Sequence, residues 1–295
     1  IFITVTPAQM SPFSPNGWIN DGDNRTVGNN VDAYTDAAND NTGSDADRAI
    51  GTAAPGRVFD FTANIGFESG DAPSVYRDAA ITQLFYNSNH YHDRLYAFGF
   101  NEAARNFQTT NFTGQGVGGD PVRAEAQDGS GTNNANFGTS GTDGSGARCQ
   151  MYVWTGPTPD RDGDFDTEII YHELSHGLSI RLHGGGLTGT QGGGMGEGWG
   201  DFFGVCLNAE PADDFSAVYA MGGYGTYLGA AGYTNNYHYG IRRFPYSIDF
   251  SKSPLTYADA DVGQYNADGV ARGPFGSATA NAVHNLGDIW CNVLL

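Results

Sequence analysis

Apolar residues recur at helical spacing in three stretches of the chain. Ile81, Leu84, Phe85, Leu95 and Tyr96 predict a helix over 73–98, with Pro73 near its start. Ile169, Ile170, Leu174, Leu178 and Ile180 predict a second, which Gly184–Gly186 should stop. Val283, Leu286, Trp290, Val293 and Leu294 give the apolar face of a final helix. A further helix is expected from about residue 195. "RVFDF" (57–61) and "QMYVWTG" (150–156) read as strands. Turn residues dominate most of 1–60, 109–148 and 222–280, and no segment repeats.

The 295 residues are long for one compact unit, so two lobes are expected. Apolar residues make up 39% and aromatics 13%, which excludes a disordered chain. A net charge of −19 argues against a nucleic-acid partner, and no apolar run reaches membrane-spanning length. The acidity lies mostly in 26 Asp rather than 7 Glu. Asp favours turns and caps, so the surface should be rich in loops carrying short carboxylates. The start, "IFITVTPAQM", has no basic leader and reads as a mature terminus. Three cysteines, Cys149, Cys206 and Cys291, cannot all pair and match no zinc-ribbon or redox spacing.

The chemistry concentrates in "HELSH", residues 172–176. On a helix, positions i and i+4 share a face, so His172 and His176 can reach one metal ion. Glu173 is rotated away from the pair yet close enough to contact a water on the metal. From this composition the pattern is expected by chance on the order of 0.004 times. A catalytic zinc needs a third protein ligand and one open position. "GGGMGEGWGDFFG" (192–204) offers Glu197, beyond a glycine-rich loop that lets the chain double back. Asp201, four residues later on the same helical face, is placed to accept the free N–H of a ligating histidine.

These residues resemble the fungalysin family of secreted zinc metallopeptidases, which is grouped with the thermolysin-like gluzincins. "DAAITQLFYNSNHYHDRLY" (78–96), "AQDGSGTNNANF" (126–137), "GIRRFPYS" (240–247), "PLTYAD" (254–259) and "NAVHNLGDIW" (281–290) are similar to its other blocks. The resemblance runs from about residue 14 to 295. It implies zinc ligation by His172, His176 and Glu197, with Glu173 as general base and Asp201 orienting His172. It implies that His284 steadies the tetrahedral intermediate, and that Arg242, Asn134 and Ala135 bind substrate. Arg243, adjacent to Arg242, is the competing candidate for that arginine. Leu174 stands where the family usually has an aromatic residue, and the loop between His176 and Glu197 is short.

The fold implied is α+β and two-lobed, like thermolysin. A β-rich lobe, 1–185, would carry the zinc helix at its end, and a mainly helical lobe would span 186–295. Helical periodicity still runs at Leu295, so that second lobe reads as truncated, with a C-terminal segment missing. The implied activity is secreted endopeptidase action on proteins or peptides after loss of a propeptide. The rival readings are an inactive fragment and a non-catalytic extracellular domain stabilised by zinc or calcium. Calcium is the weaker cofactor candidate. Asp160, Asp162, Asp164 and Asp166 alternate just before the zinc helix, with Glu168 one turn ahead of His172, but they do not form an EF-hand.

Overall fold

A computed structural model describes residues 13–20, 22–54, 56–66, 70–185, 187–227, 236–261, 270, 272–275 and 279–295. Gly186 and the first twelve residues, with the terminal stretch read above, lie outside it. The fold is mixed α+β. Six short strands are present: β1 (Val31–Thr35), β2 (Val122–Ala126), β3 (Ala135–Gly138), β4 (Ala147–Met151), β5 (Val153–Trp154) and β6 (Arg161–Asp162). The longer helices are α1 (Arg77–Ala97), α2 (Thr167–His183), α3 (Gly189–Asn208) and α4 (Val283–Leu294).

The main sheet has the order β1-β2-β4-β3. β1, β2 and β4 run parallel, and β3 joins antiparallel at the edge. β5 and β6 form a separate antiparallel ribbon. Val31, Ala33, Ala124, Ala147 and Cys149 from the sheet share one buried core with Ile81 and Leu84 of α1 and Ile170 and Leu174 of α2. The sheet thus carries α2, and α2 carries the histidines.

Helix α2 starts where Asp166 caps it, accepting the Ile169 N–H at 3.4 Å, and ends where Gly184 turns left-handed at φ 68°. Gly177, inside the helix, leaves room for the edge strand. A Cβ there would stand 2.6 Å from the Phe137 ring. At the far end of α2, fully buried Arg181 donates to Asp120 at 2.9 Å, to the Ser145 carbonyl at 2.5 Å and to the Thr142 carbonyl.

Three expectations need correcting. Residues 57–61 alternate in exposure but form no strand; Phe59 and Phe61 instead pack against the core as side chains of an extended loop. The 150–156 run breaks at Tyr152, giving β4 and then β5, which turns to pair with β6. The third helix begins at Gly189, six residues before 195, although eight of its twenty residues are glycine. Its neighbours demand those glycines: a Cβ at Gly194 would lie 2.5 Å from Leu286, and one at Gly198 2.7 Å from the Gly287 carbonyl of α4. Tertiary packing overrides poor helix propensity here.

His90 and His92 on α1 bond within the fold. His90 Nδ1 meets the Tyr171 hydroxyl at 2.8 Å, and His92 Nδ1 meets Asp93 at 2.9 Å. The three cysteines carry free thiols.

Replacing Arg181 would leave Asp120 as a buried charge without its cation. We expect Arg181→Ala to cost about 3–5 kcal/mol in denaturant unfolding. A loss below about 1 kcal/mol would show that the pair does not tie α2 to the loop beneath it.

Candidate metal centre

Helices α2 and α3 lie against each other with their polar residues meeting at one spot. His172 Nε2 and His176 Nε2 are 3.0 Å apart. Glu197 of α3 brings Oε2 within 3.3 Å of His172 Nε2 and Oε1 within 3.8 Å of His176 Nε2. A tetrahedral zinc with bonds of about 2.0–2.1 Å separates its ligand atoms by roughly 3.3 Å, so this spacing fits the ion. The donor set, two imidazoles and a carboxylate, is of the kind zinc takes. Glu197 Oε2 is moreover buried and accepts no hydrogen bond from the protein. Two imidazole nitrogens and a carboxylate crowded onto one buried point are a donor set that a cation can organise.

The charges around the three residues are strongly biased. Burial works against a charged His172, but Asp201 and Glu197 outweigh it and raise the imidazole pKa to about 10. Burial and the charge of His172 push His176 down to about 4. Burial alone would raise Glu197, yet His172, His176 and Arg242 hold it at about 2. At Glu173 burial, aided by Glu197, outweighs the lowering charges of His172 and Arg242. Burial lifts its carboxyl to about 7, near the working pH of a group that must both take and give a proton.

Asp201 lies behind the cluster, fully buried. Its Oδ1 meets His172 Nδ1 at 2.6 Å. Arg242 clamps both of its oxygens, with Nε at 2.6 Å and Nη2 at 2.7 Å, and the Tyr246 hydroxyl donates to Oδ2. Arg242 and His172 hold the Asp201 carboxyl well below its ordinary range, even against burial. The sequence reading missed Tyr246. Nothing local marked it beyond its place in "GIRRFPYS". Arg242 and Arg243 divide their work: Arg243 donates to Asp288 at 3.0 Å and to the Asn285 carbonyl at 2.5 Å, fixing α4. His284, half-exposed on α4, places Nε2 3.3 Å from Glu197 Oε2.

A cleft of about 350 Å³ opens over the cluster. It is lined by His172, Glu173, His176, Glu197, Arg242 and His284, and by Asn134 and Ala135 beside the edge strand. Trp154, Ile169, Met221 and Ile241 form its apolar wall, another feature the sequence did not announce. The acidic turn before α2 is held largely by donors from distant parts of the chain, with Asp164 Oδ1 buried and accepting no hydrogen bond. Asp162 accepts from Asp164 N–H and from Gln127, while Asp166 caps α2 and accepts the Gly225 N–H.

Residues 2–295 match the family described as fungalysin metallopeptidase (M36). The chain belongs to the fungalysin family. It is 45% identical over 232 residues to the extracellular metalloproteinase MEP of Neosartorya fischeri, a stretch covering 77% of this chain and 32% of that protein. It is 39% identical over 293 residues to extracellular metalloproteinase 10 of Coccidioides posadasii, covering 96% of this chain and 41% of the relative. For extracellular metalloproteinase 1 of Arthroderma gypseum the identity is 40% over 299 residues, covering 97% and 41%. This fungalysin chain therefore spans about a third to two fifths of the length of these relatives. Among its described residues, no helix is long and apolar enough to cross a membrane.

Gly200 faces the His172 ring, and a Cβ there would stand 2.6 Å from Nδ1. We expect Gly200→Ala to displace the imidazole from Asp201 and weaken zinc binding by about 10–100-fold in a chelator competition, with α-helical circular dichroism retained. Unchanged zinc affinity would show that the ring has room to shift.

Proposed function

We propose that this fungalysin chain is a secreted zinc endopeptidase, and that the convergence of His172, His176 and Glu197 around an orphaned carboxylate oxygen is the observation that carries the reading. His172, His176 and Glu197 would hold the ion. Bound there, zinc would supply Lewis acidity, polarising the scissile carbonyl and lowering the pKa of water.

The protein's own groups do the rest. Asp201 fixes His172 so that Nδ1 donates and Nε2 faces the cleft. Arg242 and Tyr246 keep Asp201 ionised and in place. Glu173, one residue from His172 and turned to the cleft, takes a proton from the attacking water. It then delivers that proton to the departing amine nitrogen. His284 donates from Nε2 to the oxyanion as the carbonyl becomes tetrahedral. Asn134 and Ala135 meet the substrate backbone beside β3, which is the edge of the main sheet. Arg242 acts mainly as the anchor of Asp201, with its cleft-facing side available to substrate.

The finer architecture follows the same reading: a thermolysin-like pair of lobes, 1–185 and 186–295, with the metal between α2 of the first and α3 of the second. Protein or peptide substrates, export and a propeptide removed during maturation belong to the reading as well. It is supported by relatives named extracellular metalloproteinases. Calcium enters as a stabiliser of the fold, separate from the reaction.

Casein cleavage by the chain should vanish with a zinc chelator and return with zinc. Glu173→Gln should keep zinc and lose about 10²–10⁴-fold in rate. A folded, zinc-loaded chain that leaves casein intact would instead favour a non-catalytic extracellular domain. Cleavage-site profiling on a peptide library should show Leu, Ile or Phe just after the cut, matching the wall of Trp154, Ile169, Met221 and Ile241. Acidic residues there without apolar preference would overturn the assignment of that wall.

A further inference from the structure

Away from the zinc residues, Asp36, Glu125 and Asp128 each offer a carboxylate oxygen within 4.8 Å of the other two. All three are buried, with 2%, 0% and 2% of their surfaces exposed. Asp36 follows the last residue of β1, Glu125 lies on β2, and Asp128 follows β2 by two residues. The parallel pairing of β1 and β2 brings them together.

The charge balance is the difficulty. Among the described residues the ion pair made by the three acids is with Arg148, whose Nε stands 3.6 Å from Glu125 Oε2, outside hydrogen-bond geometry. Asp36 accepts the N–H groups of Asp40 and Asn41, both at 2.9 Å. Asp128 accepts from Gln150 at 2.6 Å and from the N–H and hydroxyl of Ser130. Glu125 Oε1 is taken by the Tyr34 hydroxyl at 2.7 Å. Its Oε2 is buried and accepts no hydrogen bond, although the side chain is turned toward the other two acids. Asn41, whose N–H bonds Asp36, also holds a buried Oδ1 without a partner.

One shared proton would neutralise one carboxylate of three and leave two buried charges beside the partly exposed Arg148. A dication removes the imbalance, since with Arg148 it answers all three charges. The donors are carboxylate oxygens alone, the set that a hard dication such as calcium takes, unlike the imidazole-bearing zinc cluster. Burial raises the Glu125 carboxyl to about 7, and Asp128 beside it pushes the same way, as expected of acids crowded without a cation.

We propose that Asp36, Glu125 and Asp128 bind a calcium ion that pins the loop after β2 to the end of β1, at a place distinct from the acidic turn 160–168. That loop leads directly to β3, so the ion steadies the cleft wall formed by Asn134 and Ala135. The site stands on geometry independent of the peptidase reading and does not fall with it.

The test strips the full chain with EGTA, restores zinc, and follows thermal unfolding as calcium is added. Wild type should gain several degrees. Glu125→Gln keeps the Tyr34 bond but removes the charge; in EGTA it should melt at or above wild type and gain nothing from calcium. Asp36→Asn provides a second variant with the same expected loss of response, and Asp164→Asn should respond like wild type. Bound calcium measured by elemental analysis should fall by one ion per chain in the first two variants. No calcium response in wild type, or a response kept in Glu125→Gln and Asp36→Asn but lost in Asp164→Asn, would overturn the assignment.

Discussion

The buried carboxylate of Asp201 is the constraint on which the site depends. A carboxylate with no exposed surface persists as an ion only if its oxygens are answered by donors. Here His172, Arg242 and Tyr246 answer them, and they come from α2 and from the chain between α3 and α4. One anion therefore fixes the tautomer of a metal-facing imidazole and ties three parts of the chain to it. Arg243 extends the tie to α4 through Asp288, so that His284 arrives within reach of Glu197. Truncating any one partner would leave the others as buried charges, which is why such a network holds as a unit.

The parts of this arrangement that follow helical periodicity were legible in the sequence. His172 and His176 share a face because 3.6 residues make a turn, and Asp201 follows Glu197 by one turn for the same reason. The apolar spacing in α1, α2 and α4 gave their places to within a few residues. What was not legible is nonlocal. Tyr246 is an ordinary tyrosine until the fold delivers its hydroxyl to Asp201, and nothing local in the sequence shows that Arg242, which lines the cleft, also clamps the same carboxylate. The alternating acids at 160–166 suggested a cation, but in the fold Asp162 and Asp166 are answered by helix and turn N–H groups and by Gln127 and Gly225 from far along the chain. The better-placed carboxylates come from positions 36, 125 and 128, which only strand pairing brings together.

Glycine misled in one direction. Read by propensity, "GTQGGG" (189–194) is a loop; in the structure it is the start of α3. The absence of Cβ atoms lets α3 press against the His172 ring on one side and the α4 backbone on the other. Carboxylates at 197 and 201 gain their short reach from that closeness.

Such a helix has little stability of its own. Each glycine costs roughly 0.5–1 kcal/mol relative to alanine, and α3 carries eight. Its helical state is thus lent by its neighbours: the packing of α4 and the polar bonds at Glu197 and Asp201. A chain deprived of metal loses part of that loan at the segment least able to stand alone. Local opening there exposes flexible, glycine-rich backbone of the kind proteases cut readily.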